Sequence, residues 1–527
     1  MKSANPTLKA SNTMTMPKRA KLWLLLPTAL LAGTLTLSSC SSLPPLEGRV
    51  ASTALTDTDN TRLGMALLPL TNAHPGLVGV HALEDGRDAF AARAVLAQAA
   101  DRSLDVQYYI WRNDTTGMLM FNALRKAAER GVRVRLLLDD NNTGGLDAIL
   151  ATLDAHPLIE VRLFNPNGLR SMRPLGMVAD FARMNRRMHN KSFTADNKVT
   201  IIGGRNVGDE YFGAAGDISF ADLDMIATGP VVKAVSDDFD LYWNCQSAYP
   251  LALMVTDAKP APPVAPDAET KAYLDAIQQS AFLQKVLSGT LPLEWGHGRF
   301  LSDDPAKVLN KAAPDSNIAN RLAVLFGQPE RNLDLVSPYF VPGKDGAAAM
   351  IDMAKKGAKI RVLTNSLEAT DVSAVHAGYA KWRKPLLEAG VVLYELRRES
   401  TDEPSRQKRR SGGGFGSSDA SLHAKTFGVD GNRIFVGSFN FDQRSIHLNT
   451  EMGMVIDSVE LAHRLGDTLD KTLPMRAYEV LLDEKGEVYW RGASDGKMIR
   501  YDVEPGTTWL KRATVNGLSW LPIDWLL

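Results

Sequence analysis

The sequence predicts an α/β protein built from two similar halves. Residues 104–110 and 333–339 are both apolar runs typical of strands, and each precedes a helix-like segment. Residues 131–137 and 357–363 both begin with a glycine and continue with alternating apolar residues, which predicts a helix C-cap followed by a strand. A motif of histidine, lysine and aspartate at fixed spacing also occurs once in each half. These three features recur at offsets of 229, 226 and 234 positions, so the order of elements is conserved between the halves.

The predicted elements alternate between strand and helix in both halves. In order, they are residues 104–110, 118–130, 131–137 and 160–164 in the first half, and 333–339, 347–356, 357–363 and 391–395 in the second. Such alternation predicts a largely parallel sheet with helices on its faces. A proline-rich segment at residues 258–266 has the composition of a linker between the halves.

The repeated motif is the most specific feature of the chain. The chain has only 9 histidines, and chance would give roughly 0.1 matches to a basic residue at +2 and an acid at +7. Each copy is also followed, 17 positions after its histidine, by an asparagine in a turn of small residues. The two sets are His189, Lys191, Asp196 and Asn206, and His423, Lys425, Asp430 and Asn440.

This spacing predicts a shared catalytic pocket. Residues at i and i+2 of a strand project from the same face, so each His and Lys would lie side by side. Imidazole is a nucleophile or an acid near neutral pH, while lysine and asparagine donate hydrogen bonds to phosphate oxygens. Two such sets predict phosphoryl transfer through a phosphohistidine, without a metal or another cofactor. No histidine, cysteine and carboxylate cluster has the spacing of metal ligands.

Charge and cysteine content narrow the class of protein. The 60 basic and 60 acidic residues balance, which argues against a polycation that binds nucleic acid. Of the two cysteines, Cys245 is expected to be a small buried hydrophobe. Cys40 follows basic residues, an apolar stretch at 22–37 and small residues, which are the parts of an export signal. The alternative, an uncleaved membrane anchor, needs about 20 apolar residues, and this stretch is shorter.

The duplicated His-Lys-Asp motif resembles the defining mark of the phospholipase D superfamily. Longer stretches resemble bacterial cardiolipin synthases, particularly the type C branch, at residues 91–93, 105–111, 185–191 and 519–527. The segment that ends at Cys40 resembles a bacterial lipoprotein signal, in which the cysteine is lipidated. Ser41 resembles an outer-membrane sorting signal, which implies a periplasm-facing lipoprotein, on the outer rather than the inner membrane.

The resemblance implies two phospholipase D-type α/β/α sandwich domains packed face to face around one active site. It implies that one histidine attacks the phosphorus of a phospholipid while the other protonates the departing alcohol and then deprotonates the acceptor. By this analogy His189 is the nucleophile and His423 is the acid and base. Asp196 and Asp430 are expected to brace the fold. The acceptor would be phosphatidylglycerol in cardiolipin synthesis, or water in hydrolysis.

A carboxylate that orients each imidazole is also expected, because it fixes the tautomer. Glu451 is our candidate for the second half, and Asp224 is our candidate for the first, with Asp222 as a close rival. A surface ion pair is the alternative for each acid. Ser438 occupies the turn position that Gly204 holds in the first half, so we also expect the halves to treat the phosphate differently.

The C-terminal residues Trp509, Trp520 and Trp525 suggest contact with a membrane interface, although packing on the protein core is equally compatible with them. The predicted organisation is a signal at 1–40, a linker at 41–75, a first half at 76–256, a linker and insertion at 257–330, a second half at 331–472 and a tail at 473–527. A basic, glycine-rich segment at 401–421 is either a lid or a plain surface loop.

The sequence therefore predicts a lipid-anchored phosphatidyltransferase whose partners are phospholipid substrates and a membrane, with no nucleic acid. Whether it needs a helper protein stays open. The alternatives are a hydrolytic phospholipase D or nuclease, and a non-catalytic envelope lipoprotein. Two complete motifs in register argue against a degenerate, non-catalytic site.

Overall fold

The computed structural model describes residues 43–214, 221–258, 267–370, 372–398, 422–471, 473–494, 496–521 and 526–527. Cys40, the basic segment at 401–421, most of the proline-rich linker and Trp525 lie outside the described residues. Among the described residues, no helix combines the length and the apolarity needed to cross a bilayer.

Two mixed sheets form the framework. The strands of the first sheet are β1 (Val78–Leu83), β2 (Ser103–Tyr108), β3 (Arg133–Asp139), β4 (Ile159–Phe164), β5 (Ser192–Ala195), β6 (Val199–Gly203), β7 (Asp224–Thr228), β8 (Ala248–Pro250) and β9 (Glu294–Gly296). Those of the second are β10 (Gly298–Ser302), β11 (Asn332–Val336), β12 (Lys359–Asn365), β13 (Val392–Leu396), β14 (Thr426–Val429), β15 (Arg433–Gly437), β16 (Met452–Asp457), β17 (Ala477–Leu482), β18 (Val488–Ser494) and β19 (Lys497–Tyr501).

Helices pack on both faces of each sheet. Those of the first half and the connection are α1 (Arg62–Ala73), α2 (Gly86–Ala99), α3 (Thr115–Glu129), α4 (Asp147–Asp154), α5 (Arg173–Ala179), α6 (Phe181–Met184), α7 (Asp209–Phe212), α8 (Pro230–Asn244), α9 (Leu251–Met254), α10 (Ala268–Gln278) and α11 (Ala281–Leu287). Those of the second half are α12 (Ile318–Phe326), α13 (Gly343–Lys355), α14 (Ser373–Ala380), α15 (Arg383–Glu388), α16 (Gln443–His447), α17 (Val459–Lys471), α18 (Leu473–Arg476) and α19 (Trp509–Ser519).

The two sheets share one strand order, which confirms the predicted duplication. It reads β4-β3-β2-β5-β6-β7-β1 in the first sheet and β13-β12-β11-β14-β15-β16-β10 in the second. The prediction of a largely parallel sheet is wrong, because only β2, β3 and β4, and β11, β12 and β13, pair in parallel. The motif strands β5 and β14 each turn directly into the next strand, and such a short connection allows only antiparallel pairing.

Strand pairing also differs from two of the expected boundaries. The chain passes from the first sheet to the second between β9 and β10, inside the segment expected to be linker and insertion. Strands β17 to β19 extend the second sheet, so much of the expected tail belongs to that half. Within the rest of the tail, Val515 and Leu527 are buried, whereas Trp509 and Trp520 are exposed. Some residues of the tail therefore pack on the protein core, and others are exposed to solvent.

The halves meet along a continuous apolar interface. Val80, Ile202 and Met225 of the first half pack in one buried cluster with Val436 and Met454 of the second. Each half also has a core of its own between its sheet and its outer helices. Burial of this apolar surface fixes the orientation of the two halves. The site lies at the ends of the strands that meet at the interface.

Candidate active site

Backbone hydrogen bonds between the halves position both motif histidines. The N–H of His189 donates to the carbonyl of Thr450 at 2.9 Å, and the N–H of His423 donates to the carbonyl of Ala221 at 2.9 Å. Each histidine thus sits on a short bridge to the opposite half. The two motifs are brought together by the interface itself, so neither half can form the site alone.

The side chains cross the interface in the same way. His189 Nδ1 lies 2.8 Å from Glu451 Oε2, and His423 Nδ1 lies 2.6 Å from Asp222 Oδ2. Both carboxylates are completely buried, whereas 9% of the His189 side chain and 19% of the His423 side chain are exposed. Because Nδ1 of each ring is engaged by a carboxylate, Nε2 is the nitrogen left for substrate.

The predicted orienting role of Asp224 is wrong. Its carboxylate lies 2.8 Å from Arg93 and 3.6 Å from Arg205, both buried, and it makes no contact with a motif histidine. Asp222, the rival candidate, holds the position beside His423 instead. Glu451 does orient an imidazole, but that imidazole is His189 of the opposite half rather than His423.

The two lysines lie beside their own histidines. Lys191 Nζ donates to the carbonyl of His189 at 2.7 Å and lies 5.5 Å from the centre of the Tyr109 ring. Lys425 Nζ lies 2.9 Å from His423 Nδ1 and also donates to the carbonyl of His423. Both amino groups are therefore held within the pocket, and burial lowers the pKa of Lys191 well below its usual value.

The two asparagines differ in their partners. Asn206 Oδ1 accepts from the N–H of Ile110 at 3.1 Å, and its Nδ2 donates to the Tyr211 hydroxyl at 3.1 Å. Asn440 is also buried, but its Oδ1 has no hydrogen-bond partner among the described residues. The amide of Asn206 thus supports the wall of the site, whereas Asn440 Oδ1 is a buried acceptor that no described donor satisfies.

The glycine and serine that differ between the halves have a steric explanation. Ser438 Oγ donates to Glu451 Oε2 and so supports the partner of His189. A Cβ on Gly204 would lie 2.1 Å from Asp222 Oδ1, which leaves no room for a serine there. The first half therefore has glycine in this turn because the turn packs closely against Asp222. The second half has serine because its hydroxyl donates to Glu451.

The motif aspartates lie at the turns of their hairpins. Asp196 accepts backbone hydrogen bonds from Asp101, Arg102 and Ser103 at 2.8 to 2.9 Å. Asp430 accepts in the same way from residues 330–332. Both have positive φ, near 50°, which aspartate tolerates better than most residues. These bonds anchor the start of β2 and of β11 to the turn.

Two tyrosines of the first half were not predicted as site residues. Tyr109 packs edge-on against the ring of His189 at 4.9 Å between centroids, and Tyr211 packs in the same way against His423 at 5.1 Å. Tyr109 belongs to the apolar run that predicted β2. The only sequence signal for a role in the site was its position just after the end of that strand. Both rings restrict how the imidazoles can turn.

A family model described as "Cardiolipin synthase, PLD-like domain" matches residues 93–243 and again residues 322–473, together more than half of the chain. The chain belongs to this PLD-like family. The two matches fall on the two halves that the sheets define, and each contains one His-Lys-Asp motif.

Several relatives align with the PLD-like chain over most of its length. It is 51% identical to Cardiolipin synthase C of Escherichia coli over 474 residues, which cover 88% of this chain and 100% of that protein. It is 31% identical to an uncharacterized protein of Helicobacter pylori, over 88% of this chain and 93% of that one. A crystal structure of phosphatidylserine synthase from Haemophilus influenzae superposes with a TM-score of 0.55 at 13% identity, covering 88% of this chain and 100% of that one. The last similarity shows the fold alone.

The PLD-like site holds its two carboxylates in different charge states. Burial alone would raise the pKa of Asp222, but His423, Lys425 and Arg205 outweigh it and lower the pKa to about 2. Burial raises the pKa of Glu451 to about 7, although Lys191 and Ser438 favour its ionised form. Asp222 is therefore a fixed negative charge, whereas Glu451 can exchange a proton near neutral pH.

Burial and the two lysines keep both imidazoles of the PLD-like site neutral. Burial lowers the pKa of His423 to about 3, and Lys425 acts in the same direction. Burial also lowers the pKa of His189 well below its usual value, with Lys191 and Lys425 adding to the effect. A bound phosphodiester anion between the two lysines would oppose this positive field and raise both pKa values.

A buried polar network supports Glu451 from behind, and it was not predicted. Lys307 Nζ donates to Asp303 Oδ2 at 2.8 Å and to the carbonyl of Ser445 at 2.9 Å. Asp303 accepts from the N–H of Glu451, and Ser445 Oγ donates to Glu451 Oε1 at 2.8 Å. Asp303 and Lys307 lie in the segment expected to be linker, so the only signal was a pair of opposite charges four residues apart.

Within the ranges that the structure describes, no group of three or more His, Cys, Asp or Glu side chains is arranged to hold a metal ion. Cys245 is half-buried, and burial raises the pKa of its thiol to about 11, so it is a poor nucleophile near neutral pH.

Proposed function

We propose that the chain is a phosphatidyltransferase that makes cardiolipin from phosphatidylglycerol and a second phospholipid. The observation that carries the proposal is the pair of imidazoles, each held at Nδ1 by a buried carboxylate and each beside a lysine. The identity to Cardiolipin synthase C along that protein's whole length supports the choice of reaction.

The first half of the reaction would form a phosphohistidine. His189 Nε2 attacks the phosphorus of the donor phospholipid, a P–N bond forms, and the P–O bond to the headgroup alcohol breaks. His423 gives its proton to the departing oxygen. Lys191 and Lys425 balance the charge on the phosphate oxygens, and Asn440 Nδ2 would be a further donor for them.

The difference between the two carboxylates supports this assignment of roles. An ionised Asp222 stabilises an imidazolium at His423, as an acid requires. Glu451, with a pKa near neutrality, stabilises a cation at His189 less strongly, so that ring stays a neutral nucleophile. His189 is also the less exposed of the two side chains, which shields a phosphohistidine from water.

The second half of the reaction would transfer the phosphatidyl group to a hydroxyl. His423, now neutral, takes the proton of a phosphatidylglycerol hydroxyl, whose oxygen attacks the phosphorus. The P–N bond to His189 breaks, and cardiolipin leaves. Water in place of the lipid hydroxyl would give phosphatidic acid, which is the hydrolytic alternative.

The location that we propose follows from the N-terminal sequence. Lipidation of Cys40 would place the enzyme on a membrane facing the periplasm, with Ser41 favouring the outer membrane. The substrate would then lie in the same bilayer as the anchor. Replacing Cys40 with serine should abolish labelling of the chain by a radioactive fatty acid.

Lipid mass spectrometry tests the proposed reaction. Bacterial cells that lack their own cardiolipin synthases would express the wild type, His423→Ala, or His463→Ala, a change at an exposed histidine that belongs to neither motif. We expect cardiolipin with the wild type and with His463→Ala, and none with His423→Ala. Phosphatidic acid without cardiolipin would favour hydrolysis, and no change in either lipid would reject the proposal.

A further inference from the structure

A connecting segment in front of the first motif turns its apolar side chains outward. It includes α5 and α6 and leads directly to Asn185 and then to His189. Met172, Leu175, Val178 and Phe181, spaced by three residues, are 46 to 78% exposed. We call these four side chains the apolar rim. A surface helix ordinarily turns its apolar stripe towards the core, so this arrangement is inverted.

The polar side of the same segment is fixed to the protein. Arg170 pairs with Asp140 and Asp147, and the carbonyl of Arg173 accepts from Asn167 Nδ2 at 2.9 Å. The helix approaches so closely that a Cβ on Gly176 would lie 1.9 Å from Asn167 Oδ1.

The far end of the segment is held in a similar way. Asn165 Nδ2 donates to the carbonyls of Arg183 at 3.0 Å and of Arg186 at 2.7 Å. The segment is thus held by its polar atoms at both ends, and the exposure of the apolar rim is built into the fold.

The segment that carries the apolar rim ends beside the active site. Arg444 of the second half donates to the Oδ1 of Asn185 at 2.8 Å, and its charge is among those that act on His189. Arg444 also donates to the carbonyl of Leu526, so the C-terminus meets the same place.

The charge of the segment also favours a lipid surface. Residues 170–187 contain five arginines and one aspartate, and all the arginines except Arg186 pair with carboxylates. Among the described residues, Arg186 donates only to backbone carbonyls, those of Lys307 and His447, and its charge has no carboxylate partner. A cation beside exposed apolar side chains matches the boundary of a bilayer with anionic headgroups. Isolated exposed apolar residues are common, but four in register at the approach to a lipid-consuming site are not.

We propose that the apolar rim is a bilayer-docking surface that seats the active site against the membrane holding its phospholipid substrate. The proposal rests on the proposed function, because it takes the substrate to be a membrane lipid. Leu175, Val178 and Phe181 would enter the acyl boundary, while Arg186 would lie at the headgroups.

The test compares one substrate in two physical states. The full chain with Leu175→Ser, Val178→Ser and Phe181→Ser would be assayed on vesicles of phosphatidylglycerol and phosphatidylethanolamine, and on monomeric dihexanoyl phosphatidylglycerol. We expect the rate on vesicles to fall at least about tenfold, and the rate on the monomer to stay within about twofold of the wild type. The matched control is Leu241→Ser, Leu287→Ser and Val324→Ser, three aliphatic side chains of at least equal exposure elsewhere, which should keep both rates.

Two outcomes of this assay would overturn the proposal. An unchanged rate on vesicles would show that the apolar rim is not used for docking. An equal fall on both substrates would show that the segment supports the site rather than the membrane contact.

Hydrogen exchange separates this inference from the proposed function. If the wild type transforms neither substrate, the proposed function fails, but the docking surface can still be detected. Vesicles should slow exchange at residues 172–184 of the wild type and not at 281–287, and the triple variant should lose that protection. Absence of protection in the wild type, as expected if another protein covers the apolar rim, would overturn the proposal.

Discussion

Glu451 Oε2 lies 2.8 Å from His189 Nδ1, although the two residues belong to opposite halves of the chain. The reciprocal contact joins Asp222 of the first half to His423 of the second at 2.6 Å. Each half therefore supplies the histidine of one pair and the carboxylate of the other. The two halves of the duplicated fold therefore form one site, which is complete only when both are assembled.

Removing either carboxylate's charge should slow transfer strongly. Glu451→Gln and Asp222→Asn keep the shape of the side chain but no longer fix the tautomer of the imidazole or stabilise its cation. We expect each to lower kcat at least about a hundredfold. The double variant should lose much less than the product of the two effects, since the imidazoles act as a unit. Rates within tenfold of the wild type would show that these contacts do not serve catalysis.

Ser438→Ala should move the acidic limb of the pH profile. The Ser438 hydroxyl donates to Glu451 Oε2 and favours the ionised form, so its loss raises the pKa of Glu451 above its value of about 7. Activity that needs ionised Glu451 would then be lost at a higher pH. We expect the acidic limb of kcat/KM to shift upward by about one pH unit. A limb that stays in place, or moves to lower pH, would contradict the role given to Glu451.

Gly204→Ala should inactivate the enzyme without unfolding it. The new Cβ would meet Asp222 Oδ1 at 2.1 Å and would displace that carboxylate from His423. Gly144→Ala is the matched control, because a Cβ there meets nothing within 4 Å. Transfer assays together with circular dichroism should show a folded, inactive Gly204→Ala and an active control. Full activity in Gly204→Ala would mean that Asp222 is not needed where it lies.

The buried pair behind Glu451 should matter for stability. Lys307→Met would leave the buried carboxylate of Asp303 without its counter-charge, at a cost of about 3 kcal/mol in the free energy of unfolding. Burial already raises the pKa of Asp303 to about 6 against the effect of Lys307, and the variant would raise it further. The difference in unfolding free energy between the variant and the wild type should therefore become smaller as the pH falls and Asp303 takes up a proton.

Thermal unfolding at several pH values would measure this deficit. The double variant with Asp303→Asn should recover part of the loss, because no buried charge is left. A midpoint for Lys307→Met equal to that of the wild type would refute the importance of the pair.

The sequence predicted the duplication and the motif residues because both are local patterns. His189 and Lys191 are two positions apart on one chain segment, and their copies repeat the spacing. The orienting acids are set by contacts across the interface, which sequence order does not contain. Asp222 and Asp224 are only two positions apart, and their roles are separated by contacts such as that of Asp224 with Arg93, which lies 131 positions away in the chain.

The sheet was predicted less well than the motif for a related reason. Strand and helix alternate along residues 104–164, and there the prediction of parallel pairing is confirmed. It fails from β5 onward, where the chain continues through hairpins whose turns are fixed by Asp196 and Asp430. Strand β10 was missed because five residues in an irregular segment carry too little periodicity to predict a strand.

The central claim is that His189 carries the phosphatidyl group while His423 moves protons. It is tested most directly by the variant His423→Ala acting on a phosphatidyl ester of p-nitrophenol. This leaving group needs no acid, so the first step proceeds, while the second step lacks its base. We expect a burst of one p-nitrophenol per enzyme and a phosphatidyl adduct on the peptide that contains His189. An adduct on any other residue, or product release without an adduct, would contradict the account.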